Sequence, residues 1–450
     1  MSHVTVVDWW RCGRPTGSPF SGGAADVGVT TAMKHRSLAA VGGLARHVPI
    51  DGVQVFSFLA SPAVRAEPWA LYRRLHERGA VRRGPYGVWL VASHEAVSRI
   101  LREATTTVDE SQADLPAMGP PGSSDFSRLL DASLLFTDPP DHTRLRRLVS
   151  RSFTPRTVEA LRDPIHELVE RGVAELRPRG SGDLVTEVCL PFPVAVIAEL
   201  LGLPAADRPR FIAWARAMAP RLDISLFRDD AVNRAGNQAA REMTAYFDEL
   251  LDQPERLAPD GLLADLAGVE DDDRLGRHEL IALCGLLLLA GFETTSNLVA
   301  NSIHTLLGAP DALAAERDGH VDMATTVDEH LRHDGPVQFA QRVLLEDVEL
   351  DGQVLPARSL AALLIGAANR DPLVFERPDD LVLDRAPNPH LAFSSGIHHC
   401  LGAALARLEA AVAIPAILRG LPGLQLAGRP RWRQTFVLRG FTELPVRWRT

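Results

Sequence analysis

Apolar residues recur with helical spacing in PWALYRRLHERG, residues 68–79, and the run stops at Gly79. That pattern predicts a helix ended by glycine. VRRGPYGVWLVAS follows, with a Gly-Pro-Tyr-Gly turn between two β-type runs, and predicts two short strands. SHEAVSRILRE reads as a further helix with Ser93 at its N-cap. Thr105 to Asp138 contains AMGPPGSSD and has no period; an irregular segment of this length inside a compact chain is usually functional. Helical spacing dominates from Thr143 to Leu307, with breaks at Pro191, Pro204 and Pro254. Its most apolar part is the run Leu280 to Phe292, closed by Glu279 and Glu293. This is shorter than the ~20 residues a bilayer span needs, so it predicts a deeply buried helix and no membrane crossing. RVLLEDVELDGQVLP is strand-like, with Asp351-Gly352 as a hairpin turn. After an irregular stretch from Asn369 to Pro389 comes FSSGIHHCLG, and then a last helix in LGAALARLEAAVAIPAIL. The whole predicts a mainly α protein with a smaller β-rich part around one core. Residues 1–50 are rich in Gly, Ser and Thr and lack a buried-face pattern. They read as a disordered extension ahead of one folded unit over 51–450, and the sequence does not decide between Met1 and Met33 as the start.

Composition changes this picture little. Hydrophobic content of 46% and charged content of 23% are ordinary for a globular protein. Of 48 basic residues only Lys34 is lysine, a bias that points to a GC-rich, bacterial coding sequence. A net charge of −9 argues against a nucleic-acid binder. Cys12, Cys189, Cys284 and Cys400 are too scattered for a disulfide framework, and no secretory leader pattern opens the chain. A reducing cytoplasm is therefore the expected setting.

Cys400 poses the chemical question. It stands at the start of the last helix, where unpaired N–H groups favour thiolate over thiol. Gly396 and Gly402 remove side chains on either side, so a large planar ligand has room to approach. A buried structural cysteine is an equal alternative on these grounds. A zinc site with His398 and His399 is a remote third, because adjacent side chains seldom converge on one tetrahedral ion.

Phe393, Gly396, Cys400 and Gly402 match F-x-x-G-x-x-x-C-x-G, and this segment resembles the heme-binding signature of the cytochrome P-450 family. NPHLAF before it and LGAALARLEA after it resemble the bacterial members. The resemblance implies heme b (iron protoporphyrin IX) with Cys400 as axial thiolate, a ligand that favours O–O cleavage. It also implies His398 as a propionate partner. Ser394 departs from the glycine usual there. LLAGFETTS resembles the family's A-G-x-[DE]-T groove: Ala290 and Gly291 would lie beside the heme, Thr294 would meet dioxygen and Glu293 would feed protons with water. A local opening of that helix is expected where threonine competes for backbone bonds. EHLR places Glu329 and Arg332 at i,i+3, normally a surface pair. As the family's E-x-x-R it becomes a buried pair completed by Arg385. In DHTRLRRLVS, His142 and Arg146 share a helix face; with Arg342 of PVQFAQR, the resemblance makes them propionate ligands. NRDP, residues 369–372, is common at this place in the family. The resemblance spans about residues 65–450.

The expected fold is therefore the mainly helical cytochrome P-450 fold. The expected activity is insertion of one oxygen atom of O2 into a small, largely apolar organic substrate, by hydroxylation or epoxidation. Electrons would come from NAD(P)H through a separate ferredoxin and ferredoxin reductase, since no flavin or iron–sulfur segment is fused. The chain is expected to be a monomer. Leu287, Phe292, Val337, Phe339 and Phe436 are the candidate pocket residues. Two rival readings are a peroxide-driven peroxygenase and a non-catalytic docking module. The Glu293–Thr294 pair speaks against the first, and Cys400 with its basic neighbours against the second. HTRLRRLVSRSFTPR, residues 142–156, contains no acid, and Arg144, Arg147 and Arg151 are expected to form a surface stripe for an acidic ferredoxin.

Overall fold

The computed structural model describes residue 55 and residues 61–450, apart from 85–86, 115–123, 152, 224–228, 260 and 269–273. The expectations for residues 1–50, Met33 and Cys12 lie outside these residues.

The molecule is organised around one helix of 31 residues, Arg277–Leu307. The apolar run is less than half of it. The other half buries Thr295, Ser296, Asn297, Asn301 and Ser302, which hydropathy does not mark as core. Several are buried because partners wait for them. Thr295 Oγ1 donates to Glu409 at 3.0 Å, Asn301 Nδ2 to the carbonyls of Asp334 and Arg439, and Ser302 Oγ to Leu298 O. This helix is long and apolar enough to cross a bilayer, yet 72% of its most apolar window is buried within the protein. It is the core helix that the sequence predicts.

Helices Pro191–Leu201, Arg208–Met218, Asp230–Leu251, Met323–Asp334 and Ala403–Gly420 pack against it. Pro191 does not end a helix but begins one, at N1, where its missing N–H costs nothing. The segment Thr105–Asp138 holds a short strand, a 3-10 turn and the helix Asp125–Leu130, which buries Phe126, Leu129 and Leu130. Six residues give under two helical periods, too few for a pattern to show.

The main β part is a five-stranded sheet in the order Val81–Arg83, Trp89–Val91, Leu360–Leu363, Ala340–Leu344, Thr106–Thr107. Trp89–Val91 runs parallel to Leu360–Leu363, and the other pairs are antiparallel. The Asp351-Gly352 hairpin forms with Leu350 opposite Gln353, and both turn residues have positive φ (50° and 71°), as a type I′ turn requires. Ser181–Asp183 is a strand inside the stretch read as helical; it pairs with Pro445–Arg447, so remote in sequence that no local pattern announces it. Ser93 occupies the N-cap but does not cap with its side chain. Its hydroxyl donates to Asp351 at 3.3 Å, and Asp371 of NRDP accepts the His94 amide at 2.9 Å instead.

Candidate active site

The loop of Cys400 is closed by its own backbone: the Cys400 N–H donates to Phe393 O at 2.9 Å. Gly396 adopts φ +69°, and a Cβ there would stand 2.1 Å from Leu101 O. Only glycine meets both conditions. Ser394 also sits in the left-handed region, at φ 61°, a conformation that glycine adopts at less cost than serine. A Cβ on Gly402 would meet no protein atom within 4 Å, so the backbone there borders open space. The helix starts at Ala403, three residues after Cys400. The expectation of a helix-activated thiolate therefore needs correction. Burial pushes the Cys400 thiol up, and the Gly402 N–H, Arg146 and Arg407 only partly oppose it. A thiolate here calls for a cation placed directly against the sulfur. Cys400 is densely surrounded by protein yet keeps exposed surface as a residue, so such a partner can reach the loop.

Beside this loop the structure gathers cationic and N–H groups without acids to match. The His142 and His398 rings lie 4.4 Å apart. The Nε2 atom of each is buried and lacks a hydrogen-bond partner. Burial, then the charge of Arg146, lowers His142; burial, then Arg342 and His142, lowers His398 to about 3. Both rings are thus neutral N–H donors at neutral pH. Among the described residues, neither Arg146 nor Arg342 forms an ion pair, and burial lowers both guanidinium groups. Arg342 donates to the Gln341 carbonyl. The acid that acts on this cluster, Asp138, is already engaged by Thr107 and the Val108 amide. Buried donors this short of acceptors need an anionic ligand. Two carboxylates on a planar tetrapyrrole fit that need, an exposed cysteine fits its metal, and the open backbone at Gly402 fits its edge. The residues present fit heme.

On the central helix, Leu286, Ala290, Gly291 and Thr294 keep partial exposure while their neighbours are buried. Positions 286, 290 and 294 share one face, and this face is left partly exposed. Thr294 Oγ1 donates to Ala290 O at 2.6 Å. The helix nevertheless runs unbroken, so the expected opening is reduced to a side chain sharing a carbonyl that stays within the ladder. Gly291 serves packing: a Cβ there would meet Ile197 Cδ1 at 2.8 Å. The room on its Cβ side is taken by Ile197 of the helix Pro191–Leu201. Glu293 is 1% exposed and forms an ion pair with Arg433. Burial raises this carboxyl, while Arg433 and Arg216 pull it down. Arg433 was not legible as a site residue, being one arginine among many in an irregular C-terminal stretch.

The pocket candidates divide. Leu287 lies one turn before Ala290 and Gly291 and is 9% exposed, and Val337 is partly exposed and bridges to Leu438. Phe292 is wholly buried in the main core, about half a turn away from Thr294, and does not line the cleft. Phe339 and Phe436 pack against each other, ring centroids 5.0 Å apart and tilted by 58°, within a smaller apolar cluster.

Glu329 and Arg332 have fully buried side chains and form two parallel bonds of 2.7 and 2.8 Å. Arg385 adds a third at 2.9 Å, and the Val382 amide and Asn388 also donate to Glu329. The remaining Arg332 N–H groups reach the carbonyls of Asn369, Pro378 and Asp380. The i,i+3 spacing taken alone points to the surface. Here it anchors the irregular stretch that leads to the cysteine loop.

The comparisons agree with this geometry. The family model described as cytochrome P-450 matches residues 323–421. The chain is 37% identical to the cytochrome P-450 monooxygenase PikC of Streptomyces venezuelae, over 85% of this chain and 92% of that one. It is 34% identical to the polyketide biosynthesis cytochrome P-450 PksS of Bacillus subtilis, over 84% of this chain and 95% of that one. A crystal structure of P-450BioI in complex with hexadec-9Z-enoic acid ligated acyl carrier protein superposes with a TM-score of 0.79 at 34% identity, covering 87% of this chain and 100% of that chain. The chain belongs to the cytochrome P-450 family and is a heme b monooxygenase of the bacterial type.

Proposed function

We propose that this monooxygenase hydroxylates or epoxidises a small, largely apolar substrate in the tailoring of a secondary metabolite, in the cytoplasm, as a monomer. The similarity to PksS, a polyketide biosynthesis enzyme, supports the setting. The observation that carries the assignment of residues is the acid-poor cluster of His142, Arg146, Arg342 and His398 beside an accessible cysteine. In this reading Cys400 would bind the heme iron through its sulfur, and the four donors would hold the propionates. Bound heme supplies O2 activation and transfer of one oxygen atom to the substrate. The chain's own part is to seat the substrate against Ala290 and the Thr294 face, exclude bulk water and deliver protons. Thr294 passes a proton into the cleft through Oγ1, and Glu293 replenishes it from water. A reaction driven by peroxide would leave that pair without a task. Spin-state titration of the heme with a panel of polyketides, terpenes and fatty acids tests the substrate class. A shift with an apolar compound supports it, and shifts confined to highly charged compounds refute it.

Thr294→Ala should retain heme and substrate binding, while reducing equivalents go to peroxide in place of product. Coupling of NAD(P)H oxidation to product, measured beside peroxide release, checks this; unchanged coupling would assign the proton to another group.

Electrons are proposed to arrive from a ferredoxin and its reductase. Arg144 of the expected docking stripe pairs with Glu279 and is only partly exposed. Arg147, Arg151 and Arg156 are exposed on the helix Asp141–Ser150 and just beyond it. Reversing Arg147 and Arg151 to Glu should slow ferredoxin-driven heme reduction about tenfold or more and weaken its salt dependence. Stopped-flow reduction at two salt concentrations measures this, and an unchanged rate removes the docking site.

A further inference from the structure

Arg433 lies outside every motif discussed above, yet it is the ion-pair partner of the buried acid beside Thr294. Its own position is fixed from three directions. Its Nε donates to Asn297 Oδ1 at 3.3 Å, one helical turn beyond Glu293. Its backbone N–H donates to Gly440 O at 2.9 Å, closing the base of the turn 433–440. Gly440 presses on the same asparagine: a Cβ there would stand 2.2 Å from Asn297 Oδ1. The tip of that turn is held in turn by Asp223, whose Oδ1 accepts the Phe436 and Val437 amides at 2.8 and 2.9 Å. One connected unit therefore joins Asp223, which follows the 3-10 turn Ala219–Leu222, the C-terminal turn and the Glu293 carboxylate.

We propose that Arg433 is the positioning residue for Glu293, so that the C-terminal turn controls how the buried carboxylate is aimed and when it carries a proton. The inference rests on the reading of Glu293 as the acid that serves the cleft. The carboxylate takes one proton from water and yields one toward Thr294, returning to its starting state, while Arg433 stays protonated throughout. Charged groups from three elements meet here: Glu293 from the central helix, Arg433 from the turn, and Arg216 from the helix Arg208–Met218, which itself feels Asp183. Of the two arginines only Arg433 makes direct contact with the acid. Without it, Glu293 would be a desolvated carboxyl with no bonded counter-charge, a situation that favours the neutral form.

Infrared difference spectroscopy of the substrate-free holoenzyme tests this independently of turnover. The carbonyl stretch of a protonated carboxylic acid is followed against pH, and Glu293→Gln identifies which signal belongs to Glu293. In Arg433→Gln the midpoint of that signal is expected about one to three pH units higher than in the wild type, the size of effect an adjacent opposite charge exerts. Arg433→Lys keeps the charge but loses the Asn297 bond, so its midpoint is expected between the two; it also serves if the glutamine variant does not fold. A midpoint that stays at the wild-type value in these variants overturns the proposal. In turnover, Arg433→Gln and Glu293→Gln should lower coupling similarly, and the double variant no further. Full coupling in Glu293→Gln, with the midpoint still moved by Arg433→Gln, would refute the role of Glu293 as the acid and with it the catalytic meaning of Arg433. An unmoved midpoint refutes Arg433 alone.

Discussion

Glu329→Gln should abolish accumulation of folded heme protein at physiological temperature. The carboxylate it removes accepts bonds from Arg332, Arg385, Asn388 and the Val382 amide, and it neutralises two arginines at a site with no exposure. Glutamine matches the volume but offers one acceptor oxygen and two unwanted donors. Arg332 is then left charged, buried and half-bonded. Breaking a buried pair from one side costs about 3–5 kcal/mol, set against a total stability of roughly 5–15 kcal/mol. The loss falls on the segment that leads to Cys400, so cofactor retention should fail with it. Heme content and thermal unfolding of the purified variant measure the outcome. A variant as stable and as heme-replete as the wild type would mean that the triad contributes nothing essential.

Cys400→Ser should have the larger chemical effect and the smaller structural one. The loop around it is closed by backbone bonds that do not involve the sulfur, from Cys400 N to Phe393 O and from His399 N to Gly396 O. Serine occupies less space at an accessible position and breaks none of these. What disappears is the soft anionic donor, because a hydroxyl neither ionises nor binds iron as a thiol does. The expected result is a folded protein with an unchanged far-ultraviolet circular dichroism spectrum, weakened heme retention and no product formation. Product formation at the wild-type rate would show that the sulfur is not the ligand.

Legibility followed the range of the physical signal. The apolar run Leu280–Phe292 announced the core helix because burial on all sides needs no partner pattern. The signature around Cys400 was legible in part because Gly396 answers a steric and backbone demand that few other residues satisfy. Asp351-Gly352 was legible because both turn residues need positive φ. Features set by remote contacts were not. Ser181–Asp183 becomes a strand only through residues 445–447, and the helix at His94 is capped by Asp371 and not by its neighbour Ser93. Phe292 looked like a pocket residue because apolar character does not say which face of a helix meets the core. Glu293 was legible as a chemical residue, but Arg433 was not: the pairing spans 140 positions and leaves no periodic trace.

A heme held by Cys400 as thiolate is detected by the carbon monoxide difference spectrum of the dithionite-reduced protein. The expected result is the strongly red-shifted Soret band that thiolate ligation confers, and its loss in Cys400→Ser. A protein that takes up no heme, or one whose reduced carbon monoxide complex gives the Soret band of nitrogen-ligated heme under conditions where it remains folded, would contradict it.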